Sequence, residues 1–372
     1  MKKKLKVFEA FAGIGAQVSA LERLNINYEI VGISDWFIDA IICYNAIHCK
    51  KRKRHLPSRN VMLKYLEQFD FSRDSVTPYD IHKLSNEIIE QLYIANKNSK
   101  NYGSITRLDP AKLPDIDLLV YSFPCQDLST GGKCLGMKKG SGTRSGLLWE
   151  VERILLGLKR RNNLPEYLLL ENVRTLLAPA NRKDLDKWLK FLKGLGYQND
   201  EPILVNAMDH GVPQERIRAF IVSHFGKKLN VGRKIKNQSR VYCFENFFRT
   251  DYSVSQLKKE ADDAQLNPTR SRKKMWEVNG RELNTPVNTI TCNMDRSNCA
   301  GLFRYKGKLG DSFRRLTIRE AFLLMGFTED EYERTLSLGY SYRKMNKLIG
   351  NSIVVNVLVS IFKAMFGDKY DL

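Results

Sequence analysis

Cys125 has the sequence surroundings of a reactive thiol. It lies in the stretch SFPCQDLS at 122–129, which follows the apolar run DIDLLVYS at 115–122, a run typical of a buried strand. Pro124 ends that strand because proline cannot donate to the hydrogen-bond ladder. A structural thiol would more naturally lie inside the apolar run. A thiol on the loop at the end of a strand is placed to meet a ligand, and its chemistry would be nucleophilic.

Gly13 and Gly15 predict a turn that passes close to a ligand. They lie between the strand-like stretch LKVFEAF and a helical stretch, where the backbone of Rossmann-like folds approaches a nucleotide. Val18 occupies the third glycine position of the dinucleotide pattern, so NAD fits poorly. Asp35 ends the second strand, about 20 residues on, where such folds place a ribose-binding acid. Trp36 offers a flat face to an adenine, although alone it would more simply be a core residue.

A regular alternation of strands and helices predicts the framework behind these residues. The pattern indicates an α/β fold with a doubly wound, mostly parallel sheet covered by helices. Residues from about 50 to 102 are interpreted as an insertion, and residues 230–313 as an irregular, polar and basic region. The predicted strands are 5–11, 28–34, 115–122, 166–173 and 217–225, and the predicted helices are 17–24, 37–48, 81–95, 145–160, 185–197, 317–327 and 352–366.

The charge of the chain indicates a polyanionic partner. The net charge is +20 over 372 residues, and residues 225–315 carry 20 Lys/Arg against 9 Asp/Glu. This quarter of the chain therefore holds a net +11, which is over half of the excess. A solvated lysine-rich surface is the alternative, but a localised basic region favours nucleic acid.

The composition predicts a soluble, cytoplasmic protein without disulfides or a metal. The hydrophobic fraction is 43%, which is typical of globular proteins, and no uninterrupted apolar run reaches the length of a bilayer span. The basic N-terminus lacks a signal-peptide core because Glu9 interrupts its apolar stretch. The seven cysteines include no CxxC pair, so free thiols are expected rather than a disulfide framework or zinc site.

Six sequence blocks in order resemble the DNA (cytosine-5)-methyltransferases. The resemblance covers nearly the whole chain outside the insertion and the 230–313 region. It implies an enzyme that transfers a methyl group from S-adenosylmethionine to C5 of a cytosine in a short, specific site of double-stranded DNA. The fold implied is a Rossmann-like methyltransferase sheet with a smaller target-recognition domain. The blocks are FEAFAGIG (8–15), SFPCQDLS (122–129), LLLENV (168–173), QERIR (214–218), RRLTIREAFLLMGF (314–327) and GNSIVVNV (350–357).

The resemblance assigns the catalytic residues. Cys125 matches the nucleophile that adds to cytosine C6, and Glu171 matches the acid at N3. Arg218 matches the arginine at cytosine O2, and Arg216 is expected on the same side of its strand. Asn172 matches a residue that braces the turn. A helix-terminal acid and two surface salt bridges are the structural alternatives for the glutamate and the arginines.

The resemblance also assigns a cofactor set. Asp35 would bind the ribose and Trp36 the adenine of S-adenosylmethionine. Ser104 stands where the family often has an acid in Gly-Asp-Ile, so a hydroxyl would replace that carboxylate. The remaining cofactor positions are Phe11, Ala12, Gly13, Ile14, Gly15, Ile105, Pro124, Leu147, Asn351 and Ser352.

DNA contacts are expected from a glycine-rich loop at 129–149 and from the stretch TPVNTITCNMDRSN at 285–298. The target cytosine must leave the base stack, at a cost of a few kcal/mol. The domains implied are a catalytic domain at 1–229, a recognition region at 230–334 and a C-terminal segment at 335–372 that returns to the first. A monomer with a cognate restriction endonuclease is expected. The DNA-contacting candidates are Gln126, Ser129, Lys133, Arg144, Thr289, Thr291, Asn293 and Arg296.

Three alternatives stay open. A transfer RNA methyltransferase of the same family would carry a Cys-Phe-Thr block, which Cys243-Phe244-Glu245 matches poorly. A catalytically dead DNA-binding regulator is disfavoured by intact Cys125 and Glu171. A nicotinamide oxidoreductase with a redox thiol is disfavoured by the missing third glycine.

Overall fold

The computed structural model describes residues 4–50, 55–128, 136–140, 142–294 and 300–370. The chain divides into two compact units. The first comprises Met1–Val205, Ile217–Ile235 and Ile361–Leu372, and the second comprises Asn206–Arg216 and Lys236–Ser360. The functional division at residues 229/230 and 334/335 stays a prediction.

A seven-stranded sheet forms the first unit, in the order β2-β1-β3-β4-β8-β5, with β6 paired to β8. Strands β2, β1, β3 and β4 run parallel to one another, as the βα alternation predicted. Strand β8 is antiparallel to both β4 and β5. The strands of the chain are β1 (Leu5–Ala10), β2 (Tyr28–Ser34), β3 (Leu118–Tyr121), β4 (Tyr167–Val173), β5 (Tyr197–Asn199), β6 (Ile203–Asn206), β7 (Gln214–Glu215), β8 (Ile217–Phe225), β9 (Gln265–Leu266), β10 (Val287–Asn288), β11 (Phe303–Gly307) and β12 (Gly310–Arg314).

Helices cover both faces of this sheet, which confirms the α/β class. On one face, Val18 and Tyr44 pack with Ile33 of β2. On the other, Leu155 and Trp188 belong to the core cluster that includes the sheet residues. The helices are α1 (Ala16–Arg23), α2 (Ile38–His48), α3 (Arg59–Leu66), α4 (Asn86–Asn98), α5 (Leu148–Arg160), α6 (Pro179–Gly194), α7 (Val231–Lys234), α8 (Ser255–Ala264), α9 (Arg270–Asn279), α10 (Ile318–Leu324), α11 (Glu329–Leu336), α12 (Tyr342–Gly350) and α13 (Val355–Tyr370).

The second unit has more regular structure than the sequence predicted. Strands β7 and β10 form a two-stranded parallel sheet, and β11, β12 and β9 form an antiparallel one. The region interpreted as irregular also contains α8 and α9. These helices are short, and charged or polar residues fill most of their positions, so the apolar periodicity of a helix is weak there.

The second unit contains a fully buried ion pair. Arg314 Nη1 and Nη2 donate to the two carboxylate oxygens of Glu320 at 2.7 and 2.8 Å, and both side chains are fully buried. Glu320 also closes a capping box with Thr317 at the start of α10. This bidentate geometry is the strong form of the arginine–carboxylate pair.

Among the described residues, one stretch passes a composition test for a membrane span. It is Tyr342–Gly367, whose mean hydropathy is 1.8 over its best window. The stretch contains α12 and most of α13, and 67% of that window is buried inside the protein. Buried core helices pass the same test, so the stretch is weak evidence for a membrane segment.

Candidate functional site

The loop that carries Cys125 is held to its neighbours by side-chain hydrogen bonds. It follows β3, and Cys125 itself is partly exposed. Asn172 Nδ2 donates to the carbonyl oxygen of Phe123 at 2.9 Å. Ser145 Oγ donates to the carbonyl oxygen of Pro124 at 2.8 Å. The backbone before the thiol is therefore fixed from two sides.

Glu171 and Arg218 meet beside this loop on neighbouring strands. Strand β4 pairs antiparallel with β8, and Val173 lies opposite Arg218. The Arg218 Nε to Glu171 Oε1 distance is 3.6 Å, with side-chain exposures of 17% and 10%. Strands β3 and β4 are parallel, so Cys125 and Glu171 lie at the same, carboxyl, end of the sheet. The sequence-predicted thiol, acid and arginine thus share one end of one sheet, where ligands bind in such folds.

The glycine turn has the backbone that close approach to a ligand requires. Phe11, Gly13 and Gly15 have φ values of 59°, 57° and 77°, a region that costs an L-residue such as Phe11 about 1–3 kcal/mol. A Cβ built on Gly13 would meet no heavy atom of the described residues within 4 Å, so this backbone borders open space. The turn therefore fits a bound cofactor at Gly13, because a ligand can approach its backbone directly.

Asp35 joins this turn to the second strand. Its carboxylate accepts hydrogen bonds from the backbone N–H of Gly13 and of Phe37, both at 2.8 Å. Burial raises the pKa of Asp35 to about 6, while these two donors act in the opposite direction. Because the Asp35 carboxylate is bonded to the glycine turn, it is suited to accept hydrogen bonds from the hydroxyl groups of a ribose.

The other predicted cofactor positions in the first unit differ in exposure and in hydrogen bonding. Trp36 is half-buried beside Asp35, and Ile105 is buried. Ser104 Oγ lies 2.8 Å from Thr106 Oγ1, so its hydroxyl already has a partner. The remaining positions are Ala12 and Ile14, which are buried in the turn, Pro124, which is partly exposed before Cys125, and Leu147, which is partly exposed before α5.

Arg216 differs from Arg218 in its surroundings. It lies between β7 and β8 and is 4% exposed. Its guanidinium donates to the backbone carbonyls of Ile290, Gly350 and Ser352, at 2.7, 3.1 and 2.7 Å. These contacts hold a loop and a helix end of the second unit, whereas Arg218 pairs with a carboxylate.

The threonine stretch of the second unit is anchored by its backbone and hydroxyls. Thr289 Oγ1 donates to the carbonyl of Glu215, and Thr291 Oγ1 donates to that of Asn293. Asn346 Nδ2 donates to the carbonyl of Thr291 at 3.1 Å. Of the other predicted positions, Asn351 accepts from Cys292 Sγ at 3.0 Å, Ser352 is buried, and Gln126 and Arg144 are partly exposed in the first unit. Ser129, Lys133 and Arg296 lie outside the described residues.

Sequence reasoning missed Ser145, Gln214 and Asn101. Gln214 Oε1 accepts from the Ile290 N–H at 3.0 Å. Gln214 and Arg216 therefore both bond the backbone of Ile290. Ser145 supports the Cys125 loop, and Asn101 contacts Asp35. The available signal for Gln214 was its place in the QERIR block, whereas an isolated serine or asparagine gives none.

Replacing Gly15 with alanine is expected to destabilise the protein more than replacing Gly13. Both substitutions place an L-residue in the left-handed region, which costs about 1–2 kcal/mol. A Cβ on Gly15 would also lie 2.5 Å from His48 Nε2 and 2.7 Å from Tyr44 Cε2, which adds about 1–3 kcal/mol of overpacking. Urea unfolding of both variants measures the difference. Equal losses in the two variants would contradict the packing role of Gly15.

Comparison with known proteins identifies the family. The family model for "C-5 cytosine-specific DNA methylase" matches residues 82–367. The chain is 38% identical to "Orphan methyltransferase M.SssI" of Spiroplasma monobiae, over 98% of each chain. It is 35% identical to "Type II methyltransferase M2.ScrFI" of Lactococcus lactis subsp. cremoris, over 98% of this chain and 100% of that one.

A solved structure supports the fold independently. The Dnmt2 methyltransferase of S. pombe matches with a TM-score of 0.63 at 18% identity, over 98% of this chain and 99% of that one. Identity at this level bears on the fold alone and confirms the predicted methyltransferase sheet. The family match and the two relatives confirm the enzyme class. The chain therefore belongs to the C-5 cytosine-specific DNA methylase family and is a DNA (cytosine-5) methyltransferase.

Proposed function

We propose that this methyltransferase acts through a transient covalent bond between Cys125 Sγ and C6 of a cytosine that has been rotated out of double-stranded DNA. One observation carries the proposal. A partly exposed cysteine lies on a braced loop at the same sheet end as a paired glutamate and arginine, Glu171 and Arg218. A thiol, an acid and a cation are the three groups that this chemistry requires.

The roles follow from the electronic demands of the pyrimidine. C5 of cytosine is a poor nucleophile until the thiolate of Cys125 adds to C6 and converts the ring to an enamine. Electron density then moves toward N3 and O2, where Glu171 supplies a proton and Arg218 a positive charge. The sulfonium S–CH3 bond breaks as C5 gains the methyl group, which leaves a neutral thioether. A base then removes the C5 proton, the Sγ–C6 bond breaks and N3 returns its proton to Glu171, which restores the aromatic ring, the thiolate and the acid.

S-adenosylmethionine is the proposed methyl donor. When bound, it supplies an electrophilic methyl group on a sulfonium. Residues 11–15 would approach it through their backbone, Asp35 would accept from its ribose, and Trp36 would contact its adenine. Ser104, Ile105, Pro124 and Leu147 complete the proposed cofactor set of the first unit, and Asn351 and Ser352 stay predictions from the family resemblance.

Arg216 is proposed as a positioning residue, although the sequence predicted it within the catalytic set. Its guanidinium is occupied by three carbonyls that include that of Ile290, between Thr289 and Thr291. Arg216 would therefore act through the threonine stretch, whose polar groups are proposed to contact DNA together with the basic 225–315 region. Two relatives named as type II or orphan methyltransferases support a restriction–modification setting, with or without a partner nuclease.

Trapping on 5-fluorocytosine tests the covalent step. Bisulfite sequencing of plasmid methylated by the purified enzyme first identifies the target site. A duplex with 5-fluorocytosine at that position, given with S-adenosylmethionine, is expected to stay joined to the protein because fluorine cannot leave as the C5 proton does. Peptide mapping is expected to place the bond on Cys125.

The controls are the unmodified duplex and transfer RNA, each given with labelled S-adenosylmethionine. The unmodified duplex is expected to be methylated and released. The mechanism would be refuted if no adduct formed at a site that the enzyme methylates in the unmodified duplex. It would also be refuted if the adduct formed on a residue other than Cys125. Methylation of transfer RNA in preference to duplex DNA would refute the substrate.

A further inference from the structure

We propose that residues 55–103, most of the segment interpreted from sequence as an insertion at about 50–102, complete the cofactor site and that Asn101 is a positioning residue for Asp35. This inference rests on the proposed role of Asp35 in binding S-adenosylmethionine. It is argued from hydrogen bonds within the first unit that join Asp35 to the helices of this segment.

Asn101 holds the backbone of Asp35 from both sides. Its Oδ1 accepts from the Asp35 N–H at 3.0 Å, and its Nδ2 donates to the Asp35 carbonyl at 3.0 Å. The same Oδ1 accepts from the N–H of Gly103 at 3.1 Å, immediately before Ser104. A single side chain therefore fixes the proposed ribose acid and the residue that precedes the proposed cofactor positions Ser104 and Ile105.

A second contact from the same segment holds the residues that follow Asp35. The Ser72 N–H donates to the Trp36 carbonyl at 2.7 Å, and the Ser72 carbonyl accepts from the Ile38 N–H at 3.0 Å. The stretch 35–38 is thus bounded by Asn101 on one side and Ser72 on the other. A segment that lay only at the surface would not need hydrogen bonds to this backbone from both Asn101 and Ser72.

The support continues into the helices of the segment. Asn101 Nδ2 also donates to Asn96 Oδ1 at 2.8 Å, and Asn96 Nδ2 donates to Tyr65 Oη at 3.2 Å. Asn101 is 3% exposed and Asn96 is fully buried. Buried amides are costly unless they are hydrogen-bonded, so this chain of bonds favours one arrangement. It links α3 and α4 to Asp35, and through the Asp35 carboxylate to Gly13.

Asn101→Ala tests the inference by cofactor binding rather than by activity. We expect the Kd for S-adenosylmethionine, measured by calorimetry without DNA, to rise about tenfold, because the carboxylate loses its fixed position. The Kd for duplex DNA without cofactor and kcat at saturating cofactor are expected to stay within about twofold of wild type. A role in stability alone would leave the cofactor Kd of the folded variant unchanged.

Ser99→Ala is the matched control. Ser99 is equally buried in the same turn, and its Oγ donates to the Ala95 carbonyl, outside the chain of bonds to Asp35. Its cofactor Kd is expected to match wild type. Asn96→Leu keeps the branched shape of the side chain but removes the hydrogen bond that links Asn101 to α4, and a rise of about threefold in the cofactor Kd is expected. If Asn101→Ala does not fold, Asn96→Leu decides the outcome.

Asp35→Ala separates this inference from the proposed cofactor site. If Asp35→Ala weakens cofactor binding while Asn101→Ala and Asn96→Leu do not, the positioning role is refuted and the proposed site stands. If Asp35→Ala leaves the cofactor Kd unchanged, the proposed cofactor site is itself refuted.

Discussion

Cys125→Ser is expected to lower turnover by at least about a thousand-fold, since residues that act as a nucleophile contribute factors of this order or more. Serine has nearly the same shape, but its hydroxyl is a much weaker nucleophile at neutral pH than a thiol in equilibrium with its thiolate. The loop is held through the carbonyls of Phe123 and Pro124, which the substitution does not touch. The variant is therefore expected to fold and to bind S-adenosylmethionine. Single-turnover assays with labelled cofactor measure the loss.

Cys243→Ser is the matched control for this substitution. Cys243 is an exposed cysteine of the second unit, so its replacement is expected to leave turnover within about twofold of wild type, as surface changes usually do. Wild-type turnover in Cys125→Ser would show that another group is the nucleophile. Loss of cofactor binding in Cys125→Ser would show that the substitution disturbed the fold instead.

Arg314→Met is expected to cost about 3–5 kcal/mol of the free energy of unfolding, the usual loss when one member of a buried ion pair is removed. The remaining Glu320 carboxylate would stay buried without its bidentate partner. It would keep only the hydrogen bonds from the backbone N–H groups of Thr317 and Arg249. Urea unfolding followed by fluorescence measures the change.

Two comparisons make this expectation specific. The double variant Arg314→Met with Glu320→Leu removes the uncompensated charge and is expected to be more stable than Arg314→Met alone. Arg334→Met breaks the exposed pair of Arg334 with Asp330 on α11, and the expected loss is below about 1 kcal/mol. If Arg314→Met also lost less than about 1 kcal/mol of the free energy of unfolding, the buried pair would not be important for stability.

The parts of the site that could be predicted are those carried by short motifs on regular elements. The PCQ and ENV blocks directly follow or end apolar strands, so Cys125, Glu171 and their common sheet end could be inferred from sequence. The partners of Arg216 could not, because its carbonyl acceptors lie 74, 134 and 136 residues away along the chain. Nothing in a single sequence indicates which carbonyls a buried guanidinium will meet.

The same limit explains the interpretation of residues 50–102. Their composition shows a charge run and an amphipathic helix, which is typical of a peripheral insertion. The bridge between Ile33 and Asn101 and the bond from Asp35 to Asn101 span more than 60 residues. Local periodicity carries no information about such pairings. The hydrogen bonds between Asn101 and Asp35 are therefore visible only in the folded structure.

The interrupted sequence of the second unit bears on efforts to exchange this unit, which contains the proposed recognition region, between relatives. Because this unit joins Asn206–Arg216 to Lys236–Ser360, a chimaera that imported only the longer piece would retain the Gln214 and Arg216 of its host. Arg216 would then have to donate to foreign carbonyls at positions 290, 350 and 352, and Gln214 would have to accept from a foreign backbone N–H at position 290. A transplant that carries both pieces together preserves these native contacts and is the sounder engineering unit.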